Sequence, residues 1–313
     1  MKRGDFLSLR DLASRQVEEL LDLALDLKVR RNRGLVSSEL ARKSIAMLFQ
    51  KPSLRTRTSF DVGLSELGGH AVYLGPEEVA MGKRESIPDV ARVLSRYVHG
   101  IVARTNRHED QITLAKFASV PVINALSDYE HPCQAVADLV TMRECFGNLK
   151  ALRVAYVGDG NNIARSLAFA SAKVGLELTI ASPADYVLDP AVVAYADVEA
   201  RSRGGAVRLV RDPREAAKNA DVLYTDVWTS MGQEAEAETR RINFAGYQVN
   251  QEILSLAQPG AIVMHDLPAH RGEEISEDVI DGPQSVVFQQ AENRLHAQNA
   301  VLVWLLGDGR ALG

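Results

Sequence analysis

The hydrophobic pattern of the chain alternates between short, nearly continuous apolar runs and longer stretches in which apolar residues recur with helical spacing. The short runs predict buried β-strands, and the longer stretches predict amphipathic helices. Alternation of the two is typical of α/β proteins with parallel sheets. The predicted strands are residues 44–49, 71–74, 100–103, 121–125, 153–157, 177–181, 207–210, 222–225 and 261–265.

The predicted helices separate these strands into two series. A helix over residues 14–30 precedes the first series, another over 86–98 lies within it, and a long one over 134–145 leads into the second. Two sheets of about five strands suggest two domains of ~130 to 150 residues, a usual domain size. We therefore expect an α/β protein of two domains, each a parallel sheet flanked by helices, joined by helices. The expected segments are a first domain over 1–132, a second over 133–290, and a C-terminal helix, 291–313, that returns to the first domain.

The segment SLRTRTSF, residues 53–60, carries the strongest chemical signal in the first series. It follows the first predicted strand, has the features of a helix start, and combines several hydroxyl groups with the guanidiniums of Arg55 and Arg57. Free backbone N–H groups and the positive end of the helix dipole favour an anion at such a position. Arginine can add two parallel hydrogen bonds to the oxygens of that anion. The segment predicts a site for a phosphorylated substrate.

Composition narrows the choice of other partners. The chain has 313 residues, of which 46% are apolar and 25% charged, and a formal net charge of −5. This balance argues against a general nucleic-acid or anionic-membrane surface, and no stretch approaches the ~20 apolar residues of a membrane span. Lys2 and Arg3 precede no apolar signal segment, and two cysteines in so long a chain are typical of reduced thiols. We expect a cytoplasmic protein with no nucleic-acid or membrane partner.

Polar residues follow two further strands of the first series. Arg104 follows the strand 100–103, and HPCQ, residues 131–134, follows the strand 121–125. The carboxyl ends of parallel strands are where α/β proteins build their sites, so these residues can lie together. Each also has a plainer interpretation, because His131 alone is more often structural and an exposed arginine ion pair is common and weak.

The segment GDGNN, residues 158–162, lies between a predicted strand and a helix, which is the setting of a dinucleotide-binding loop. The third glycine of that fingerprint would fall at Ile163, however, and the next strand ends in Ala181 and Ser182 rather than in an acid for the ribose. We therefore reject a dinucleotide. The two amides could bind a small polar substrate such as a carboxylate, or one of them could cap the helix.

The segment DVWTSMGQE, residues 226–234, follows another strand of the second series. Asp226 is a natural anchor for a substrate ammonium, and Gly232 allows the loop to bend as a mobile lid. The charged stretch that follows, AEAETRR, residues 235–241, is more typical of a solvated helix face than of a binding site.

Two more motifs complete the set. HDLP, residues 265–268, adds the carboxylate of Asp266, and AENR, residues 291–294, places Arg294 at the start of the terminal helix. Together and in this order, SLRTRTSF, Arg104, HPCQ, GDGNN, DVWTSMGQE, HDLP and AENR resemble the sequence pattern of carbamoyltransferases over the whole chain. The SMG loop is similar to that of the ornithine carbamoyltransferases, whereas aspartate carbamoyltransferases lack it.

This resemblance implies a reaction and an assembly. The carbamoyl group would pass from carbamoyl phosphate to the side-chain amine of L-ornithine, giving L-citrulline and phosphate in arginine metabolism. The N-terminal domain would bind carbamoyl phosphate and the C-terminal domain L-ornithine, in a homotrimer or an assembly of trimers with sites between subunits. No metal and no organic cofactor would be needed.

The resemblance also implies roles for the residues that match the motifs. The residues around carbamoyl phosphate would be Ser53, Leu54, Arg55, Thr56, Arg57, Arg104, His131, Gln134 and Arg294. Those around ornithine would be Asn162, Asp226, Ser230, Met231, Asp266 and Leu267. The catalytic residues among them would be Arg104, His131, Gln134, Asp226, Asp266 and Arg294.

The chain departs from the family pattern at three positions. Leu54 stands where many members carry threonine, and Ala80 lies in a loop that resembles one reaching a neighbouring subunit's site. Asp266 stands where the HCLP motif of the family has a cysteine that contacts the ornithine side chain. A second carboxylate there favours the ammonium form of the amine over the nucleophilic neutral form. Two alternatives therefore stay open: a carbamoyltransferase for another amine, and a weakly active homologue.

Overall fold

The chain folds into two compact units. The computed structural model describes residues 4–82, 84–230 and 232–307. Of these, unit 1 comprises residues up to 140 together with those from 292, and unit 2 comprises 141–291. Each unit contains one parallel sheet flanked by helices, which confirms the predicted fold class. The breaks fall at 140/141 and 291/292, whereas the sequence predicted them at 132/133 and 290/291.

The sheet of unit 1 has four strands among the described residues, where about five were expected. Its order is β2-β1-β3-β4, and all neighbours are parallel. The direction of progression reverses between β1 and β3, which makes their carboxyl ends the topological switch point of the sheet. The strands are β1 (Ser44–Phe49), β2 (His70–Leu74), β3 (Gly100–Arg104) and β4 (Val122–Leu126).

The sheet of unit 2 has five parallel strands in the order β7-β6-β5-β8-β9. Its switch point lies between β5 and β8, at the carboxyl ends that lead into GDGNN and DVWTSMGQE. The strands are β5 (Arg153–Val157), β6 (Glu177–Ala181), β7 (Ala206–Val210), β8 (Val222–Thr225) and β9 (Ile262–His265).

Helices of very different lengths connect these strands. The chain also forms single 3₁₀ turns at Leu9–Asp11, Ala184–Tyr186 and Glu234–Glu236. The helices are α1 (Ser14–Asn32), α2 (Leu54–Glu66), α3 (Pro76–Val79), α4 (Ile87–Tyr97), α5 (His108–Phe117), α6 (Pro132–Phe146), α7 (Asn162–Val174), α8 (Pro190–Arg201), α9 (Pro213–Ala217), α10 (Ala237–Asn243), α11 (Gln251–Leu254), α12 (Glu277–Ile280) and α13 (Val287–Leu306).

Two helices begin earlier than the sequence predicted, and both carry site candidates. Helix α6 begins at Pro132 rather than at residue 134, because proline fits the first helical position, where no N–H partner is needed. Helix α13 begins at Val287 rather than at residue 291. The prediction that Arg294 lies at the start of the terminal helix is therefore wrong, since it lies well inside the helix and is buried.

Each sheet buries its own apolar core. In unit 1 the buried cluster contains Ala46, Ile101 and Val122 from three adjacent strands. In unit 2 it contains Val157 and Val263 with residues of the helices that follow. Strands buried on both faces consist of continuous apolar runs, which is why the sequence located them within about one residue. Within the described ranges, no helix combines the length and apolarity that a membrane span requires.

Candidate functional site

The first group of candidate residues surrounds the start of α2, directly after β1. Ser53 caps this helix, because its backbone is extended and its side chain accepts a hydrogen bond from Thr56 N at 3.2 Å. Leu54 is the first helical residue, and its side chain is 76% exposed. The absence of the family's threonine hydroxyl at Leu54 therefore leaves the helix start itself intact.

Two buried arginines converge on the hydroxyl of Thr56. Arg294 Nη2 donates to Thr56 Oγ1 at 2.7 Å, and Arg104 Nη1 donates to the same oxygen at 3.4 Å. Thr56 is 1% exposed, Arg294 3% and Arg104 9%. Two cations buried beside a helix N-terminus are unfavourable unless an anion compensates them. The switch point of unit 1 can therefore accommodate an anion.

A chain of hydrogen bonds holds Arg294 from its other side. Arg294 Nη1 donates to Gln134 Oε1 at 2.8 Å, and Gln134 Nε2 donates to Asp138 Oδ1 at 2.9 Å. Both residues of α6 are buried. The structure thus brings four predicted residues into one network, namely Thr56, Arg104, Gln134 and Arg294.

His131 precedes the first residue of α6 and is 2% exposed. Burial, and then the positive charges of Arg294 and Arg104, hold the pKa of its imidazole well below the ordinary value of 6.5. The ring is therefore neutral at physiological pH. A neutral imidazole can donate one hydrogen bond to a developing oxyanion without adding a third positive charge to the group.

The low pKa of His131 predicts a loss of stability in acid. In the unfolded chain the imidazole of His131 binds a proton near pH 6.5, whereas in the folded chain it stays neutral at that pH. The contribution of His131 to the free energy of unfolding is therefore fully present above pH 6.5 and falls as the pH drops towards the folded pKa. The slope contributed by one histidine is at most about 1.4 kcal/mol per pH unit. Urea unfolding between pH 5 and 7.5 should show a shallower decline for His131→Gln than for the wild type. The exposed His70 is the control, and a His70→Gln variant that flattens the decline equally would contradict the assignment.

The two arginines of SLRTRTSF lie in different surroundings. Arg57 is exposed, and its guanidinium stacks on the ring of Tyr73 of β2, with 3.7 Å from Cζ to the ring centroid. Arg55 is half-buried, and its carbonyl oxygen accepts from Ser59 Oγ at 2.6 Å. The phosphate-binding role predicted for both arginines stays a prediction, and the stacked position of Arg57 favours Arg55 for it.

The second group of residues lies at the switch point of unit 2. Asn161 caps α7, because its Oδ1 accepts from the backbone N–H groups of Ile163 and Ala164. The same amide donates through Nδ2 to Asp226 Oδ2 at 2.7 Å. Asp226, directly after β8, is 6% exposed and also accepts from Val227 N at 2.7 Å. Asn161 thus fixes the carboxylate of Asp226, the residue that the sequence predicted to anchor an ammonium group.

Asn162 and Ser230 remain candidates on either side of this pair. Asn162 is the first residue of α7 and is half-buried. Ser230 lies in the loop after β8, where its backbone N–H donates to Gln233 Oε1 at 3.0 Å. Met231, the other SMG candidate, lies outside the described residues.

A buried ion pair supports the two loops, and the sequence analysis missed it. Arg240 Nη1 donates to Asp159 Oδ2 at 2.8 Å and to the carbonyl oxygen of Trp228 at 2.9 Å. Burial is the largest influence on Asp159 and raises its pKa, although the partner Arg240 opposes this shift. The stretch 235–241 is therefore not simply a solvated face, since Arg240 is 6% exposed and ties α10 to both loops.

Asp266 follows β9 beside a buried histidine. The Nδ1 atom of His265 lies 3.6 Å from Asp266 Oδ1 and accepts from Leu267 N at 2.9 Å, while its Nε2 faces Glu274 Oε1 at 3.0 Å. One potential ligand atom each from Asp226, His265 and Asp266 lies within 4.8 Å of the others. The structure thus brings the predicted acids Asp226 and Asp266 together. Leu267 packs against the core of unit 2.

Several partners of the site residues escaped the sequence analysis. Asn161 and Asp138 each hydrogen-bond a candidate, Asp226 and Gln134 respectively, and Glu274 faces His265, the neighbour of Asp266. The spacing of Gln134 and Asp138, four residues apart on one helix, was the available signal for a side-chain pair. The pair of Asp159 and Arg240 offered no such signal, because 81 residues separate them in the sequence.

Comparisons with known proteins give the class of the chain. Residues 4–144 match the profile of the aspartate/ornithine carbamoyltransferase carbamoyl-P binding domain. Residues 150–305 match the profile of the Asp/Orn binding domain of the same enzymes. The chain belongs to the aspartate/ornithine carbamoyltransferase family.

Several relatives of the chain are named ornithine carbamoyltransferase. The chain is 52% identical over 306 residues to an ornithine carbamoyltransferase of Symbiobacterium thermophilum, covering 98% of this chain and 99% of the relative. It is 50% identical over 303 residues to the anabolic ornithine carbamoyltransferase of Pyrococcus furiosus, covering 97% and 96%. A solved ornithine carbamoyltransferase structure from Pyrococcus furiosus superposes with a TM-score of 0.95 at 50% identity, covering 98% of this chain and 97% of that one.

Proposed function

We propose that the protein transfers the carbamoyl group of carbamoyl phosphate to the side-chain amine of L-ornithine, giving L-citrulline and phosphate. The observation that carries this proposal is the pair of buried arginines, Arg104 and Arg294, on the Thr56 hydroxyl at the start of α2. Relatives named ornithine carbamoyltransferase that are about half identical over nearly the whole chain supply the choice of reaction. The anabolic name of one relative favours a place in arginine biosynthesis, and the sequence favours the cytoplasm.

Carbamoyl phosphate would bind at the switch point of unit 1. Its phosphate would take the free N–H groups at the start of α2 and the guanidinium of Arg55. Arg104 and the neutral His131 would lie at the carbamoyl oxygen, with Gln134 near the carbamoyl amide. Donors fixed before the reaction cost no reorganisation when negative charge develops on that oxygen, which is often the largest catalytic effect.

Ornithine would bind at the switch point of unit 2. The oriented carboxylate of Asp226 would hold an ammonium group, and Asn162 with the SMG loop would hold the remaining polar groups of the amino acid. The side-chain amine must lose a proton before it attacks the carbamoyl carbon and displaces phosphate. An alkyl ammonium has an ordinary pKa of about 10.4, so the surroundings of this amine decide what fraction is nucleophilic.

One assay tests this function directly. The purified protein is incubated with carbamoyl phosphate and each of several amines, including L-ornithine, L-aspartate, L-lysine and putrescine, and the ureido product is measured. We expect product with L-ornithine well above that with every other amine. Preference for another amine would establish the first alternative function, and binding of carbamoyl phosphate without product would establish the weakly active homologue.

Asp266 is the specific observation that favours those alternatives. Its carboxylate lies with that of Asp226 in one cluster, where relatives with the HCLP motif would present a thiol. Two carboxylates facing one amine raise the pKa of the amine and lower its nucleophilic fraction near neutral pH. Each unit of such a shift lowers that fraction roughly tenfold.

We therefore expect Asp266→Cys to increase turnover with L-ornithine at pH 7 to 8 by about tenfold, because a thiol is a weak and usually neutral partner. The rise of the pH–rate profile should move towards lower pH, since the amine then loses its proton more readily. The control is Asp278→Cys, which removes an exposed carboxylate on α12 of the same unit. A clear loss of ornithine turnover in Asp266→Cys would instead show that Asp266 serves this enzyme's own substrate.

We also propose a homotrimer or an assembly of trimers. The loop after β2 supports this, because it resembles one that reaches a neighbouring subunit's site and exposes Arg84 and Glu85. Of the described residues in this loop, only Val79 and Met81 pack with the core of unit 1. Lys83 lies outside the described residues. Sedimentation at micromolar concentration should give a trimer or a multiple of it, and a monomer would contradict the proposal.

A further inference from the structure

We propose that Asp138 is a positioning residue for carbamoyl phosphate, which it serves by fixing the amide of Gln134 and, through that amide, the guanidinium of Arg294. The inference rests on the proposed function. Asp138 is fully buried on α6, four residues after Gln134, so both side chains lie on the same face of the helix. Asp138 belongs to none of the sequence motifs that marked the site.

The chemistry of the three groups allows only one orientation of the amide. An ionised carboxylate only accepts hydrogen bonds and a guanidinium only donates them, whereas an amide has one end of each kind. Gln134 lies between them, with Nε2 at 2.9 Å from Asp138 Oδ1 and Oε1 at 2.8 Å from Arg294 Nη1. Rotating the amide by half a turn would place its oxygen against the carboxylate of Asp138, so that two acceptors face each other. Its nitrogen would then face the guanidinium of Arg294, so that two donors face each other.

The orientation of the amide fixes Arg294 in turn. The two terminal nitrogens of its guanidinium are then bound to different elements, Nη1 to Gln134 of α6 and Nη2 to Thr56 of α2 at 2.7 Å. A planar fork held at two points can no longer rotate. Asp138 thus acts on the anion site without itself touching the ligand.

This arrangement gives the buried carboxylate of Asp138 a hydrogen-bond partner close to the anion site. A negative charge there would weaken binding of phosphate by simple Coulomb repulsion. Its hydrogen bond to Gln134 offsets that cost, because an amide that could turn over would leave Arg294 without its acceptor in part of the molecules. A buried donor that loses its acceptor carries the full cost of its desolvation.

The test is a double-mutant cycle that exchanges the polarity of the pair. In Gln134→Glu alone, two carboxylates face each other. In Gln134→Glu with Asp138→Asn, the asparagine can donate to the glutamate, and the glutamate still accepts from Arg294, so the pattern is restored with the same total charge. The Kd of carbamoyl phosphate is measured by calorimetry for the wild type, both single variants and the double variant.

We expect the effect of Asp138→Asn to change sign between the two backgrounds. In the wild type it should weaken carbamoyl phosphate binding about fivefold to tenfold, and in the Gln134→Glu background it should strengthen binding at least tenfold. If Asp138 had only a structural role, Asp138→Asn would weaken carbamoyl phosphate binding in both backgrounds. The control Asp5→Asn removes a carboxylate that accepts from Val122 N at the amino end of β4, away from the carboxyl ends that carry the site. Its Kd for carbamoyl phosphate should stay within twofold of the wild type.

The outcomes separate the inference from the proposed function. If the wild type does not bind carbamoyl phosphate, the proposed function fails before the pair is tested. If the wild type binds it and Asp138→Asn is neutral or is harmful in both backgrounds, the positioning role of Asp138 is overturned. Should Gln134→Glu alone fail to fold, recovery of a folded, ligand-binding double variant gives the same sign reversal, and failure of the double variant overturns the role.

Discussion

Replacing Arg294 by methionine should lower kcat/KM for carbamoyl phosphate by roughly a thousandfold, because the anion site loses one of its two buried positive charges and Gln134 and Thr56 lose the donor that orients them. Arg294 is buried and donates to both Gln134 and Thr56. Methionine has a similar length but offers no donor, so both acceptors and the bound anion lose their partner. Steady-state kinetics with L-ornithine saturating gives the ratio.

Two further variants show which property of Arg294 matters. Arg294→Lys keeps the charge but cannot reach Gln134 and Thr56 with a planar fork, so it should recover only a small part of the activity. Arg31→Met removes an arginine of the same unit that pairs with Glu66 near the surface, and it should change kcat/KM less than twofold. Full activity in Arg294→Met would remove this residue from the site.

The parts of the fold that the sequence predicted are those that depend on local pattern. Parallel strands such as β1 and β5 are buried on both faces, so their apolar runs mark them directly. The strand order could not be predicted in the same way, since it depends on which helices cross to which side of each sheet. The switch points, where the candidate residues gather, follow from that order.

The sequence predicted the candidate site only where the residue types of a motif themselves indicate its chemistry. SLRTRTSF carries the features of an anion site on its own, whereas Arg294 was placed at a helix start although its helix begins at Val287. Residues that support others were missed for a different reason. Arg240 and Asp159 are ordinary charged residues in the sequence, and only the fold brings them within 2.8 Å and removes them from water.

Gly160 illustrates a constraint that no motif explains. Gly160 belongs to GDGNN, for which we rejected a dinucleotide-binding loop, and the structure shows that it packs closely against the segment that follows β6. A Cβ atom at Gly160 would lie 2.1 Å from Leu188 N and 2.4 Å from the carbonyl carbon of Val187, both backbone atoms. Its own N–H donates to Tyr186 O at 2.7 Å. No rotation of a side chain can relieve this contact.

Gly160→Ala should therefore destabilise unit 2 by about 3 kcal/mol, at the upper end of what overpacking costs, because one of two backbone segments must move. The displacement should also carry Asn161 away from Asp226, so the KM for L-ornithine should rise while the Kd of carbamoyl phosphate stays unchanged. Urea unfolding measures the stability, steady-state kinetics the KM for L-ornithine, and calorimetry the Kd of carbamoyl phosphate. Gly260→Ala is the matched control, because a Cβ atom there meets nothing within 4 Å, and its stability should change by less than about 0.5 kcal/mol. Equal stability of the two alanine variants would show that the loop around Gly160 yields without cost, and that Asn161 is held by its own hydrogen bonds rather than by the packing of its neighbour.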